Sequence, residues 1–198
     1  NIRKADQTRQ LLDELQKSLP VTPFLSLDQE GGLVDRLRRI LAPMPAANKI
    51  RTAADAARLA KLLAESVRIL GFNMDFAPVV DVVDEGREQT GNGLYSRAFG
   101  RSSKDVVELA GEFFRVLQEN GVIGCLKHFP GLGASKVDSH EELPSVDISE
   151  DELLGTDLCP YQELFADGSV RMVMAAHATF PNARLQEADT NGKLLPSS

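Results

Sequence analysis

Val122-Ile123-Gly124-Cys125-Leu126-Lys127-His128 runs apolar and then stops on a lysine and a histidine. A short apolar run of this kind, following Gly121, reads as a strand buried between covering layers. Its two polar ends do not suit a core, because burying unpaired cationic groups is costly. The strand therefore delivers chemistry at its C-terminal end. The flanking segments repeat the arrangement. Ser102 caps a predicted helix through about Glu119, and Gly121 ends it. Upstream, Asn73-Met74-Asp75-Phe76-Ala77, extended by Val79-Val80-Asp81-Val82, predicts another strand. It follows an Ala- and Leu-rich helix opened by Thr52 with Asp55 three residues on, and closed by Gly71 after Leu70. Phe24-Leu25-Ser26-Leu27 predicts a strand that stops at Asp28-Gln29-Glu30-Gly31-Gly32. Before it, residues 4–18 predict an amphipathic helix with Leu11, Leu12 and Leu15 on one face, ended by Pro20 and Pro23. Downstream, residues 150–166 predict a helix in which Pro160 starts a new turn and which Gly168 ends; residues 170–176 predict a strand ending at His177.

Four strands separated by helices imply an α/β fold with a parallel sheet. None of the strand-to-helix turns reads G-x-G-x-x-G, which argues against an open dinucleotide-binding sheet. Asp28, Asp81, Lys127-His128 and His177 each fall at the C-terminal end of a different strand. In a (β/α)8 TIM-type barrel those ends converge on one mouth, where barrel enzymes keep their sites. The expected fold is such a barrel, only part of it present. A whole one takes about 250 residues and eight strands, and this chain of 198 residues begins inside a helix. Residues 1–198 are thus expected to be a partial barrel domain, its first strand and later strands missing. Half a barrel leaves sheet edges and an apolar face open, which missing segments or dimerisation would cover.

The chain is 42% hydrophobic and 26% charged, ordinary for a globular domain. Its net charge of -7 argues against nucleic acid as a partner, since that binding runs on clustered Lys and Arg. No apolar run approaches the roughly 20 residues of a membrane span, so no membrane partner is expected. No signal peptide is visible, although the chain opens Asn-Ile-Arg-Lys without an initiator Met, which leaves room for a lost leader. Cys125 and Cys159 lie in different predicted elements without metal-type spacing, and two neutral thiols suit a reducing, cytoplasmic location.

Four segments carry chemistry. In Asp28-Gln29-Glu30-Gly31-Gly32-Leu33-Val34-Asp35-Arg36, two acids and paired glycines suit a polar ligand held close to backbone. Asp28 can accept from two sugar hydroxyls and Arg36 can donate; the bland reading is a tight turn with surface charges. Arg97 in Tyr95-Ser96-Arg97-Ala98-Phe99-Gly100 suits a hydroxyl or anion clamp; taken alone, a surface arginine is the more common outcome. Lys127 and His128 suit sugar hydroxyls. In the Gly-rich loop beyond them, Asp138 and His140 stand at i and i+2, so an acid can hold one ring nitrogen while the other moves a proton; the bland reading is a local hydrogen bond. His177 either lines the pocket or supports it. Three histidines, His128, His140 and His177, could bind zinc, but without a His-x-His or carboxylate-bridged set no metal is expected, and no cofactor.

In order along nearly the whole chain, Leu27-Asp28-Gln29-Glu30-Gly31-Gly32, Asn73 through Val82, Arg97-Ala98-Phe99-Gly100, Lys127-His128-Phe129-Pro130-Gly131, Asp138-Ser139-His140 with Leu143-Pro144, and Ala176-His177 resemble glycoside hydrolase family 3, in particular its bacterial β-N-acetylhexosaminidase branch. The resemblance implies a glycosidase removing terminal β-linked N-acetylglucosamine by a retaining route, for example in peptidoglycan recycling. Asp28, Arg36, Arg97, Lys127 and His128 match positions that hold the sugar. Asp138 and His140 match the acid/base dyad, which argues against the β-glucosidase branch. The dyad needs a mobile loop, which Gly131, Gly133 and Ser135 would permit. The family's nucleophile matches no segment here, and Asp75 and Asp81 match scaffold positions, so this chain alone is expected to be inactive. Leu132 stands where the family usually has His, and Ala134-Ser135 where it has Asp-Thr. These departures keep an alternative open, a non-hydrolytic sugar-binding or degenerate barrel.

Overall fold

A computed structural model describes residues 2–137, 143–183, 187–192, 194 and 195. Its elements are α1 (Ala5–Ser18), β1 (Ser26–Leu27), α2 (Ala53–Leu70), β2 (Met74–Asp75), α3 (Glu85–Glu88), α4 (Ser103–Glu119), β3 (Ile123–Gly124), β4 (Leu126–Phe129), α5 (Glu150–Glu152), α6 (Cys159–Phe165) and β5 (Val173–Ala175). The two long helices begin and end where their sequences dictate. The Thr52 hydroxyl accepts the Asp55 N–H at 3.1 Å, and the Ser102 hydroxyl accepts the Asp105 N–H at 3.1 Å. Gly71 closes α2 in the left-handed conformation, φ 101°, which a side chain would resist.

Helix α2 buries Ala56, Leu59, Ala60, Leu63, Ala64, Val67 and Leu70; α4 buries Val106, Leu109, Ala110, Phe113, Phe114, Val116 and Leu117. These stripes pack together and onto Leu27, Ala77, Val80, Val82 and Leu126 of the sheet. Each large apolar side chain buried there contributes about 1.5–3 kcal/mol. Helix α1 forms where expected, Ala5–Ser18. Only Leu12 is buried, while Leu11 and Leu15 are 56% and 39% exposed. The helix packs against α2, and those leucines, with Phe24, are left exposed.

Ser26 pairs with Met74 and Leu27 with Asp75; Met74 pairs with Ile123 and Asp75 with Gly124, all parallel. Strand β4 pairs in parallel with β5, Leu126 against Val173. One residue, Cys125, separates β3 from β4, and its N–H donates to the Ala77 carbonyl at 2.9 Å. The ladder order therefore follows the chain: β1, β2, β3 with β4, then β5. A doubly wound sheet reverses its order at a switch point; this one does not.

The α/β expectation holds, whereas the described strands are few and do not close into a barrel. They are also shorter than their apolar runs. Pro78 has no N–H to give, so the β2 ladder breaks there and resumes with Val79 opposite Lys127. The expected helix over 150–166 divides into α5, a wide turn over Leu153–Asp157 and α6. The Leu158 N–H reaches back to the Leu153 carbonyl at 2.8 Å, and Pro160 sits in the first turn of α6, where no N–H is missed. Both cysteines are free, and burial pushes the Cys125 thiol up to about 11. Among the described residues, no helix is long and apolar enough to cross a membrane.

Candidate functional site

Lys127 is almost wholly buried, its side chain 1% exposed. Its ammonium reaches Glu30 Oε1 at 2.6 Å and Asp28 Oδ1 at 3.0 Å. Glu30 in turn accepts two bonds from Arg97, Nε to Oε2 at 2.8 Å and Nη2 to Oε1 at 2.9 Å. Sequence reasoning held that Lys127 and His128 would not both enter a core unpaired; Lys127 is buried because two carboxylates meet it there. Burial pushes the Glu30 carboxyl up, but Arg97 and Lys127 outweigh it and hold it below the ordinary carboxylate range. Burial works against the Arg97 guanidinium too, yet the Glu30 bonds, with the charges of Asp81 and Asp28 behind them, carry it upward. Asp28 is the open end of this chain of charges, its side chain 38% exposed.

His128 lies beside it, its ring 14% exposed. Nδ1 is 2.7 Å from Asp81 Oδ2, while Asp81 Oδ1 accepts the Leu132 N–H at 2.7 Å. Asp81 is fully buried, so one carboxylate both orients the ring and pins the turn that follows β4. With Nδ1 engaged, Nε2 is the nitrogen left to meet a ligand. The Lys127–His128 and Phe129–Pro130 peptide bonds are cis.

A second buried acid fixes the loop after β1. Asp75 Oδ1 accepts the Gln29 N–H at 2.9 Å. The Gln29 side chain donates to Asp35 and accepts the N–H groups of Arg36 and Leu37. Burial pushes the Asp75 carboxyl well above its usual range, and its Oδ2 has no hydrogen-bond partner among the described residues. The sequence expectation that the paired glycines let a ligand lie close to backbone is corrected. A Cβ on Gly31 would stand 2.3 Å from the Pro45 carbonyl oxygen, and one on Gly32 would stand 2.6 Å from Ala46 Cβ. What lies against them is the protein's own Met44–Ala46 segment.

The third arrangement is a fully buried ion pair. Arg87 donates from Nη1 to Asp157 Oδ1 at 2.7 Å and from Nη2 to Asp157 Oδ2 at 2.9 Å, and Nη2 also reaches Glu152 at 2.9 Å. Burial pushes Asp157 up to about 6 against the pull of Arg87. Because the folded value lies above the ordinary carboxyl value, this group favours folding most at low pH and loses that contribution as pH rises to about 6. The stability of the protein relative to an Asp157→Asn variant is therefore expected to fall between about pH 4 and pH 6. Parallel urea unfolding of the two proteins checks it, and a flat difference contradicts it.

Of the residues singled out from sequence, Asp28, Arg97, Lys127 and His128 come together from the ends of β1 and β4 and the loop before α4. Arg36 is exposed, and its side chain makes no hydrogen bond or ion pair among the described residues; its backbone N–H alone joins the network. His177 is exposed at the end of β5. Asp138 and His140 lie outside the described residues. Gly131, Gly133 and Ser135, expected to lend mobility, are buried; the glycines pack against Asp157 and Val82, so as described they brace the turn rather than hinge it. Sequence reasoning missed Glu30 as the bridge between Lys127 and Arg97, and missed Arg87 with Asp157. The signal for Glu30 was its place two residues from Asp28, which puts both carboxyls on one side of extended chain. No group of three metal-binding side chains occurs among the described residues. A separate cavity of about 430 Å³, lined by Asn48, Arg51, Tyr95, Phe99 and Arg101 among others, includes none of these cluster residues.

Comparison with known proteins adds the following. The family model described as Glycosyl hydrolase family 3 N terminal domain matches residues 1–197. A Beta-hexosaminidase of Pseudomonas aeruginosa (strain LESB58) is 34% identical over 199 residues, covering 98% of this chain and 58% of that protein. The crystal structure of NagZ from Neisseria gonorrhoeae in complex with N-trifluoroacetyl-D-glucosamine superposes with a TM-score of 0.83 at 29% identity, covering 93% of this chain and 56% of that one. A family 3 beta-N-acetylglucosaminidase from Paenibacillus sp. str. FPU-7 superposes at 0.79 with 35% identity, covering 90% of this chain and 34% of that one. The chain thus spans about half the length of the curated relatives it matches.

Proposed function

Since the chain belongs to the N-terminal domain family of glycosyl hydrolase family 3, we propose that it supplies the sugar-holding and proton-transferring part of a glycosidase acting on terminal β-linked N-acetylglucosamine. The observation that carries this reading is the convergence of Asp28 and Glu30 after β1, Lys127 and His128 in β4, and Arg97 from the loop before α4. Asp28 is the acceptor turned toward solvent, suited to a pair of sugar hydroxyls. Lys127 and Arg97 are locked by Glu30 and so present donors in fixed positions, which cuts the ordering cost of binding. His128, held by Asp81, offers Nε2.

In this reading residues 1–198 are part of a (β/α)8 barrel domain, working in the cytoplasm on a cell-wall fragment or a chitin oligosaccharide. Hydrolysis retains configuration. A carboxylate on a segment outside this chain attacks the anomeric carbon, and water later releases the sugar. His140, oriented by Asp138, protonates the leaving oxygen and then takes a proton from the water. Arg36, exposed beside the Gln29 network, would join only when a ligand draws it in.

A second reading has its own observation. Leu132 is buried in an apolar cluster with Val83, Leu94 and Val146, so the turn lacks the polar side chain the family usually carries there. That favours a sugar-binding barrel without hydrolysis. The full-length gene product is expected to release 4-nitrophenol from 4-nitrophenyl N-acetyl-β-D-glucosaminide. Binding of N-acetylglucosamine with no release of the phenol would leave the binding reading in its place.

A further inference from the structure

We propose that Arg87, acting through Asp157 and Val82, is a positioning residue that aims His128 and sets the turn leading toward Asp138 and His140. The inference rests on the glycosidase reading above and deepens it. Arg87 Nη1 donates to the Val82 carbonyl at 3.0 Å as well as to Asp157. Val82 directly follows Asp81, the carboxylate that holds both the His128 ring and the Leu132 N–H. The same Val82 carbonyl lies against the turn. A Cβ on Gly133 would come within 2.1 Å of it and 3.2 Å of Arg87 Nη1. Gly131 lies just as tightly on Asp157, where a Cβ would come within 2.4 Å of the Asp157 Cβ. One planar guanidinium therefore touches both arms of a bracket: the strand end that orients His128, and the turn over residues 131–135.

The rest of the same short segment closes the bracket from the other side. Asn92 Nδ2 donates to the carbonyls of Gly133 and Ser135, each at 3.0 Å, and the Thr90 hydroxyl donates to Ser135 at 3.0 Å. Helix α3, capped by the Asp84 carboxylate on the Arg87 N–H at 2.9 Å, presents Arg87 at the right angle. A buried ion pair adds little net stability against a hydrophobic replacement. A bidentate guanidinium pair fixes direction as well as distance, and direction is what a ring that must meet a sugar hydroxyl requires. None of these groups is among those read above as holding the sugar.

The test uses the full-length gene product. Arg87→Lys keeps the charge and loses the fork; kcat is expected to fall tenfold to about a hundredfold while KM moves less than about threefold. The paired variant Arg87→Met/Asp157→Leu removes both charges together, so that the fold survives. Its melting temperature is expected to stay near that of the wild type, its kcat to stay low, and its Leu132 amide to exchange at least about tenfold faster. Wild-type kcat with wild-type Leu132 exchange in the paired variant overturns the proposal, since the cluster would then be packing alone. A wild-type protein that releases no phenol sinks the glycosidase reading, not this one. Leu132 exchange still decides it: faster exchange in the paired variant sustains the bracket, and unchanged exchange ends it.

Discussion

Lys127→Met is expected to destabilise the protein by about 3–5 kcal/mol, the scale for breaking a buried charge pair from one side. The ammonium is 1% exposed and lies between Glu30 and Asp28. Without it, Glu30 keeps only Arg97, and a second carboxylate faces it across an apolar gap left by the methionine. Burial already pushes Glu30 upward and is outweighed only by its two cationic partners. With one removed, burial pushes the acid upward against Arg97 alone, or the loop after β1 opens to water. Lys127→Arg is expected to fail as well, because a planar fork does not fill the place of a compact ammonium. The paired variant Lys127→Met/Glu30→Gln leaves no carboxylate stranded in the interior and is expected to recover at least half the loss. Urea unfolding at pH 7 measures all three. A Lys127→Met protein within about 1 kcal/mol of wild type would show that the charges are not buried together.

The second large effect belongs to His140. If it is the general acid, His140→Asn lowers kcat/KM for chitobiose by about 10²–10⁴-fold, the usual range for a lost proton transfer. The loss is concentrated on poor leaving groups. A sugar alkoxide cannot depart without a proton, whereas 4-nitrophenolate departs without one, so the aryl substrate is expected to suffer far less in kcat/KM, which reports the first bond-breaking step. Asp138→Asn is expected to fall in between, because the ring remains and only its orientation and basicity change. Equal losses on both substrates would show that His140 binds or supports, and does not donate the proton.

How far the sequence reads into the structure depends on the range of each interaction. Thr52 and Ser102 cap their helices through bonds that span three residues, and Gly71 turns the chain by its own backbone freedom. Such local chemistry is visible in a string of letters. Asp28, Lys127 and His128 were legible for a related reason, since polar residues at the ends of apolar runs mark the rim of a parallel sheet. Arg87 and Asp157 are 70 residues apart in sequence, and neither stands at a strand end. Only the packing of α3 against the wide turn after α5 brings them together. Gly131 and Gly133 misled for the opposite reason. A glycine written in a loop looks like freedom, but here the missing Cβ makes room for Asp157 and for the Val82 carbonyl, and the turn is the firmer for it. Leu11 and Leu15 mark the limit of periodicity, which shows that they share a face and not whether anything covers it.

The alternation Asp28, Lys127, Glu30, Arg97 amounts formally to two negative and two positive charges side by side. A chain with a net charge of -7 thus keeps this cluster close to electroneutral. In the glycosidase reading, an uncharged sugar arriving there displaces no counterions and feels little long-range pull. Added salt, which reaches exposed charges within a Debye length of about 10 Å at 0.1 M, scarcely screens the Lys127–Glu30 and Arg97–Glu30 pairs, which are largely shut off from water. Under that reading, recognition should hold from dilute buffer to brine.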